Sequence, residues 1–433
     1  MKKITIYWFR NDLRLADNHG LYKALQDKYP VLPVFILDNK THKTLQLNKH
    51  QSVFLNSALH SLKNELEEKG STLIILRENA DEAFKKLIKN LRVENVFAAN
   101  DYDPHAIERD EKIKQLLAKN NVEFHLLKDG VIFEKNELLK KNQEPYTVFS
   151  PYKKRWKLLL AANEIQHYES QKLTDNLLKL SDCNLQKIEM WNIRATESTF
   201  KKPELDCEII KNYHLHRDYP AREATSKTSA HLRFGTVSIR RLVKSGLELN
   251  ETWLDELIWR DFFKMIFWHF PDNVKQAFKP KYNHIPWINH EENFEKWCNG
   301  QTGYPMVDAG MKELNRTGFM HNRVRMITAS FLTKHLLTDW QWGETYFAQK
   351  LTDHDPGLNN GNWQWVAGSG CDAVPYFRVF NPQLQAEKFD PEQEYIKKWI
   401  PEFDPHNYLP PIIDHKFARQ RAINTYKKAL SEN

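Results

Sequence analysis

Apolar residues in the first 130 positions come in short runs separated by charged stretches of helical spacing. The runs Ile4–Phe9, Val31–Leu37, Thr72–Leu76, Val96–Ala99 and Val122–Leu127 are short and nearly unbroken, the pattern of strands buried on both faces. Between them, Gln51–Lys69, Ala80–Leu91 and Pro104–Lys119 bring apolar residues back every three or four positions, as one face of a helix does. Strand and helix in alternation predict a parallel sheet with helices on both sides. From Asp129 to Phe200 the pattern loosens into Lys-, Asn- and Gln-rich stretches around YTVFSPYKKRW, Tyr146–Trp156, which predicts a long connection with some helix. Helical spacing then returns in Trp253–Phe270, Val307–Leu314, Asn322–Leu336 and Thr345–Leu351, and strand-like alternation almost disappears. The expected architecture is an α/β doubly wound parallel sheet, Rossmann-like, over 1–128, a linker over 129–200, and an all-helical domain over 201–433.

Composition sharpens this picture in one respect. The chain of 433 residues holds 13 tryptophans against only 14 glycines, and indole is concentrated in the helical half, at and beyond Trp253. Scarce glycine argues against a long phosphate-cradling glycine loop. The first strand is followed by Arg10, Asn11, Asp12, Leu13 and Arg14 rather than by GxGxxG, so the usual dinucleotide fingerprint is absent. The net charge of +7 fits an ordinary solvated surface or a local basic stripe facing a polyanion. Cys183, Cys207, Cys298 and Cys371 are scattered, without metal-ligand spacing. The opening apolar stretch ends at Arg10 and no later run approaches membrane length. A soluble, cytoplasmic protein is expected.

Several segments could carry chemistry. In ELIWR, Glu256, Trp259 and Arg260 stand at i, i+3 and i+4, on one helical face. That face could stack on a planar ring and hold a phosphate, or be a surface ion pair beside a core tryptophan. In HNRVRM, Asn322 and Met326 share a face with Arg323 and Arg325 beside them, either to meet phosphate and carboxylate or as a solvated basic edge. Asp353 and Asp355 flank His354, yet no further ligands stand at workable spacing, so no metal is expected. In NNGNWQW, Trp363 and Trp365 are one residue apart and serve different neighbours, as core or otherwise. The run TSKTSAHLRFG from Thr225, with Tyr213 and Arg217 upstream, could be a pyrophosphate site at a helix start or a plain hydroxyl N-cap.

Taken in order, WFRNDLRLADN, YTVFSPYKKRW, the TS-x-x-S stretch, ELIWRDF, TGYPMVDAGM, HNRVRMITASFL, NNGNWQWVAG and YFRVFNPQLQAEKFDP resemble the photolyase/cryptochrome flavoprotein family along the whole chain. Within it, the sequence is most similar to bacterial class I cyclobutane pyrimidine dimer photolyases. The resemblance implies an antenna domain, a linker and a helical domain holding FAD. It also implies repair of pyrimidine dimers in DNA by electron transfer from light-excited reduced FAD (FADH⁻), by a lyase; a monomer is expected, since lesion binding needs an open face. The alternative is a cryptochrome-type blue-light photoreceptor, against which Trp365 stands where that branch usually has tyrosine.

Carried over by motif, the resemblance assigns Tyr213, Thr225, Ser226, Lys227, Thr228, Ser229 and Trp253 to the FAD cavity. It places Arg325, Asp353, His354 and Asp355 at the flavin and Asn359 beside flavin N5. Trp259 and Trp365 would wedge the flipped dimer, with Met326 alongside. Glu256 and Asn322 would bond the base edges, and Arg217, Arg260 and Arg323 would contact DNA phosphates. Trp363, Trp340 and Trp287 would form an electron-transfer chain for photoreduction, with Trp342 as another possible stop. For a second, antenna chromophore the resemblance leaves a folate, a deazaflavin, another flavin or an empty cleft. Ala106 replaces the glutamate that contacts the pterin in folate-binding relatives, and Glu108 lies two residues on.

Overall fold

Lys3–Phe9 (β1) lies at the centre of a parallel sheet whose other strands are Val31–Ile36 (β2), Ile74–Leu76 (β3), Arg92–Ala99 (β4) and Glu123–Leu127 (β5). The strand order is β3-β2-β1-β4-β5. The computed structural model describes residues 2–38, 48–182, 190–191 and 201–431; Cys183 falls outside them. All five runs singled out by their apolar content are strands. Ile4, Ile6, Val34, Ile74 and Val96 pack one face of the sheet and Tyr7, Phe9, Val31 and Phe35 the other, which is why the first four runs show no polar alternation; β5, expected to be buried, is instead an edge strand, with Glu123 and Leu126 exposed. Strand β4 begins at Arg92, earlier than its apolar run, because Arg92 and Val93 pair with Lys3 and Ile4 across an irregularity between Ile4 and Thr5.

Helices connect the strands: His19–Leu25 (α1), Lys49–Glu67 (α2), Ala80–Asn90 (α3) and Pro104–Ala118 (α4). At seven residues, α1 is too short for periodicity to reveal; it is marked instead by Asn18, whose side chain accepts from the Leu21 amide.

By compactness the chain divides into two units, Met1–Leu138 with Arg155–Leu205 and Lys227–Glu248, and Leu139–Lys154 with Asp206–Ser226 and Leu249–Asn433. In the first, Arg240 reaches Asp17 and Asp129, and Arg14 makes two bonds to Asp129, at 2.7 and 2.9 Å. Asp129 is 1% exposed. Burial alone would raise its pKa, but the two guanidiniums overcome that and hold it at about 2.

The second unit is helical. Phe149–Lys154 begin the helix Phe149–Ala162 (α5), followed by Glu251–His269 (α6), Pro305–Thr317 (α7), Asn322–Ser330 (α8), Trp340–Lys350 (α9), Pro356–Ala367 (α10) and His415–Ser431 (α11). The helical spacing over Asn322–Leu336 continues through two kinds of helix, because α8 gives way to a π-helix at Phe331–His335. That turn buries Lys334 completely, where it donates to the Ala367 carbonyl and lies 3.7 Å over the Tyr426 ring. Among the described residues no helix is long and apolar enough to cross a membrane.

Candidate functional site

Helices α6 and α10 approach closely because α10 has glycine where it meets α6. A β-carbon on Gly357 would come within 3.0 Å of Phe267, and one on Gly361 within 2.2 Å of Phe263. These glycines stand one turn apart and so share a face. Their contact draws the helix bearing Glu256 and Trp259 against the helix bearing Asn359, Trp363 and Trp365. Helix α8, with Asn322, Arg323, Arg325 and Met326, also packs on α10.

Glu256 makes its ion pair with Arg217, at 2.6 Å, and the Arg217 guanidinium lies 5.3 Å over the Tyr213 ring. Burial raises the Glu256 pKa, while Arg217 pulls it down. The Glu256 side chain nevertheless stays 33% exposed. Arg217, expected at a DNA phosphate, is thus already engaged. Arg323, given the same role, pairs with Asp218 at 2.7 Å and lies 4.4 Å over the Phe389 ring. Arg260 is buried, with Asp261 at 3.7 Å. Asn322 is exposed at the start of α8, and Met326 sulfur lies 3.8 Å from an Arg323 nitrogen.

Arg325 pairs with Asp353 at 2.9 Å and also donates to the Met320 carbonyl at 2.7 Å. Asp355 caps α10, accepting from the Leu358 amide, and pairs with Lys264 at 2.7 Å; His354 is buried beside it. Asn359 donates to the Glu344 carbonyl at 3.0 Å, and Asn360 donates to the Glu344 carboxylate at 3.1 Å. Trp253 Nε1 donates to Ser226 at 3.3 Å; Tyr213 and Thr225 are half-buried in the same unit. In the first unit, Lys227 is exposed with φ at 50°, Thr228 is buried, and Ser229 opens the six-residue helix Ser229–Phe234 without a side-chain cap from Thr228.

Two buried polar atoms on residues tied to Arg325 have no hydrogen-bond partner in the protein: Asp353 Oδ1, on the carboxylate that Arg325 pairs with, and His321 Nε2, whose carbonyl accepts from the Arg325 amide. An unmade bond of this kind costs about 1–3 kcal/mol, so this donor and acceptor set fits a polar ligand such as FAD. His321 caps α8 through Nδ1, which accepts from the Arg323 amide, and burial lowers its pKa to about 4.

Trp363 and Trp340 are buried in one core, and Trp287 packs on it partly buried. Trp363 meets Trp297 at 6.2 Å and Phe347 at 4.9 Å, both edge to face. Trp342 lies 5.1 Å from Phe294. Trp259 stacks on Phe149 and packs beside Phe263, while Trp365 is partly buried. In α4, Ala106 is buried, whereas Glu108 is exposed and pairs with Lys112 at 2.5 Å. Two residues apart on a helix, they face different ways.

Sequence reasoning missed Phe149, Glu344, Gly343 and His321. His321 left a trace, one residue before a helical face already singled out, and so did Phe149, inside the quoted segment YTVFSPYKKRW. The others matter through contacts distant in the chain, which no local spacing records.

Residues 5–170 match the family model for DNA photolyase, and residues 253–407 match the model for the FAD binding domain of DNA photolyase. The deoxyribodipyrimidine photo-lyase of Agrobacterium fabrum is 33% identical, over 98% of this chain and 97% of its own. A bacterial class III photolyase from Agrobacterium tumefaciens superposes with a TM-score of 0.86 at 31% identity, covering 100% of this chain and 98% of its own. The resemblance therefore extends beyond class I. An archaeal photolyase from Sulfolobus tokodaii, solved with two FAD molecules, gives 0.80 at 31% identity, over 98% and 99%. With near-complete coverage at this identity and both family models matched in order, the chain belongs to the DNA photolyase family and carries its FAD binding domain.

Proposed function

We propose that this chain is a deoxyribodipyrimidine photo-lyase, a lyase that uses light to restore cyclobutane pyrimidine dimers in DNA. The observation carrying this reading is the close packing of α6 on α10 through Gly357 and Gly361. It sets the carboxylate and indole of Glu256 and Trp259 beside the helix of Asn359 and Trp365, in a chain of this family.

In this reading Tyr213, Thr225, Ser226 and Trp253 would hold FAD, and Arg325, Asp353, His354 and Asp355 would hold its flavin. When bound and reduced, FAD would supply a light-excited electron that opens the cyclobutane ring and then returns, so that no net redox change occurs. Asn359 faces flavin N5, with its amide oriented by its bond to the Glu344 carbonyl. Trp259 and Trp365 offer aromatic faces to the flipped dimer, which leaves the helix more readily than an intact pair because it stacks poorly. Met326 fills the space beside them. Glu256 and Asn322 bond the base edges, and Glu256 stabilises charge on a thymine carbonyl. Arg217, Arg260 and Arg323 face the phosphates. Arg217 and Arg323 do so by sharing or exchanging Glu256 and Asp218. Trp363, Trp340 and Trp287 would relay electrons from an external reductant toward the flavin site. The protein acts as a monomer, and the first unit receives a second chromophore.

The test is restoration of dimer-containing oligothymidine by fully reduced protein. Repair under near-UV or blue light is expected. Repair in the dark, or none in light, overturns the reading.

A further inference from the structure

Phe149, in the segment YTVFSPYKKRW, has no part in the reading above, yet it makes the closest ring contact of Trp259. Their ring centroids lie 3.6 Å apart with planes 6° from parallel. Phe149 is buried, and Phe262 packs edge to face against both rings. One face of the Trp259 indole is therefore covered by protein.

Two ties fix this backing ring. Lys153, one turn beyond Phe149, pairs at 2.5 Å with Asp255, one turn before Trp259. The Phe149 amide, at the start of α5, donates to Asp372 Oδ2 at 3.1 Å. Helix N-terminal amides have no partner within their own helix, and a carboxylate placed there also gains from the helix dipole. Asp372 has a left-handed φ of 48° and lies just past the end of α10. The intervening turn folds back on α10: the amides of Gly368, Ser369 and Gly370 all donate to the Gln364 carbonyl, next to Trp365. A β-carbon on Gly370 would come within 3.1 Å of the Trp365 nitrogen. A continuous path of contacts thus runs from Trp365 through this turn to Asp372, then to Phe149 and Trp259.

We infer that Phe149 and Asp372 are positioning residues for the lesion. Phe149 backs the Trp259 indole, which Phe263 flanks at 5.5 Å, so that the ring is held in one orientation for a pyrimidine, and Asp372 ties that backing to the turn leaving the Trp365 helix. Together they set the slot between the two indoles. This rests on the reading that places Trp259 and Trp365 at the lesion.

The experiment measures affinity in the dark for dimer-containing and undamaged oligonucleotides, with flavin content read by absorbance. The variants are F149A, F149L, F149Y, D372A, D372N and W259A, with the double variant F149A/W259A. F149L keeps the core filled while removing the flat ring, which guards against simple unfolding. F149A and F149L should weaken lesion binding by roughly 3- to 10-fold, the size of one aromatic pair, with little change for undamaged DNA or flavin content. F149Y should restore binding. D372A should shift affinity the same way, and D372N, which keeps an acceptor, should recover most of it. In the W259A background the effect of F149A should vanish, because the two act through one contact. Full lesion affinity in F149L and F149A alongside a loss in W259A overturns the inference. So does an F149A effect that persists undiminished in W259A. If W259A itself binds the lesion normally, the placement of Trp259 is wrong and the inference falls with it.

Discussion

Arg217 and Glu256 form an ion pair at 2.6 Å, joining a loop cation to the carboxylate on the face of α6 that also carries Trp259. Neither group is therefore a free hook for DNA. Each holds the other in place, and lesion contact must be made with the pair intact or exchanged. Glu256→Gln keeps the shape and removes the charge. It should slow repair on the order of 10- to 100-fold, the range of one charge-assisted bond, as measured by recovery of thymine absorbance under steady illumination. An unchanged rate would remove Glu256 from the chemistry.

Asp353 has one oxygen on Arg325 and one buried without a partner. Asp353→Asn should weaken flavin retention by roughly 10- to 100-fold. Flavin absorbance per protein after gel filtration checks this, and full flavin content would count against it. Arg325→Lys preserves the charge but loses the geometry that reaches the Met320 carbonyl at the same time, so a smaller loss is expected.

Gly343 leaves room for an indole. A β-carbon there would stand 2.1 Å from Trp363 and 2.6 Å from Leu332. Gly343→Ala should displace Trp363 and destabilise the protein by about 1–3 kcal/mol. Photoreduction of oxidised flavin, followed by absorbance under blue light, should slow more than repair by prereduced protein. An equal slowing of both would mean that the displaced ring serves packing alone.

Glu344 titrates near neutrality. Burial raises its pKa from 4.5 to about 7, against the hydrogen bond from Asn360. Above pH 4.5 the unfolded chain loses this proton while the folded protein keeps it, so the contribution to stability falls as pH rises to about 7. The loss is on the order of 1–3 kcal/mol. Glu344→Gln should therefore have a higher Tm than the unaltered protein at pH 8, with the gap closing toward pH 5. A gap independent of pH would contradict this.

Asp129 has the opposite sign. Its folded pKa of about 2 lies below the ordinary 3.8, so its stabilisation is complete above pH 3.8 and is lost as pH falls toward 2. Asp129→Asn leaves Arg14 and Arg240 facing each other without their shared anion and should cost about 3–5 kcal/mol at pH 7. Urea denaturation measures it; a change below 1 kcal/mol would mean that solvent screens the pair.

The sequence by itself determined the elements and their class. Apolar runs without alternation are strands because both faces of this sheet are covered, and three- and four-residue spacing marks helices because each buries one face. It also determined the family, through motifs in order, and named the residues expected at the site. Tertiary structure alone decided their partners. That Glu256 meets Arg217 and not merely its own helix, that Arg323 is held by Asp218, that Trp259 rests on Phe149, and that Gly343 makes way for Trp363 are contacts between residues 20 to more than 100 positions apart. Local spacing carries the geometry of one helix or strand. Which faces meet depends on how glycines such as Gly357 and Gly361 let helices close, and that is settled only when the whole core packs.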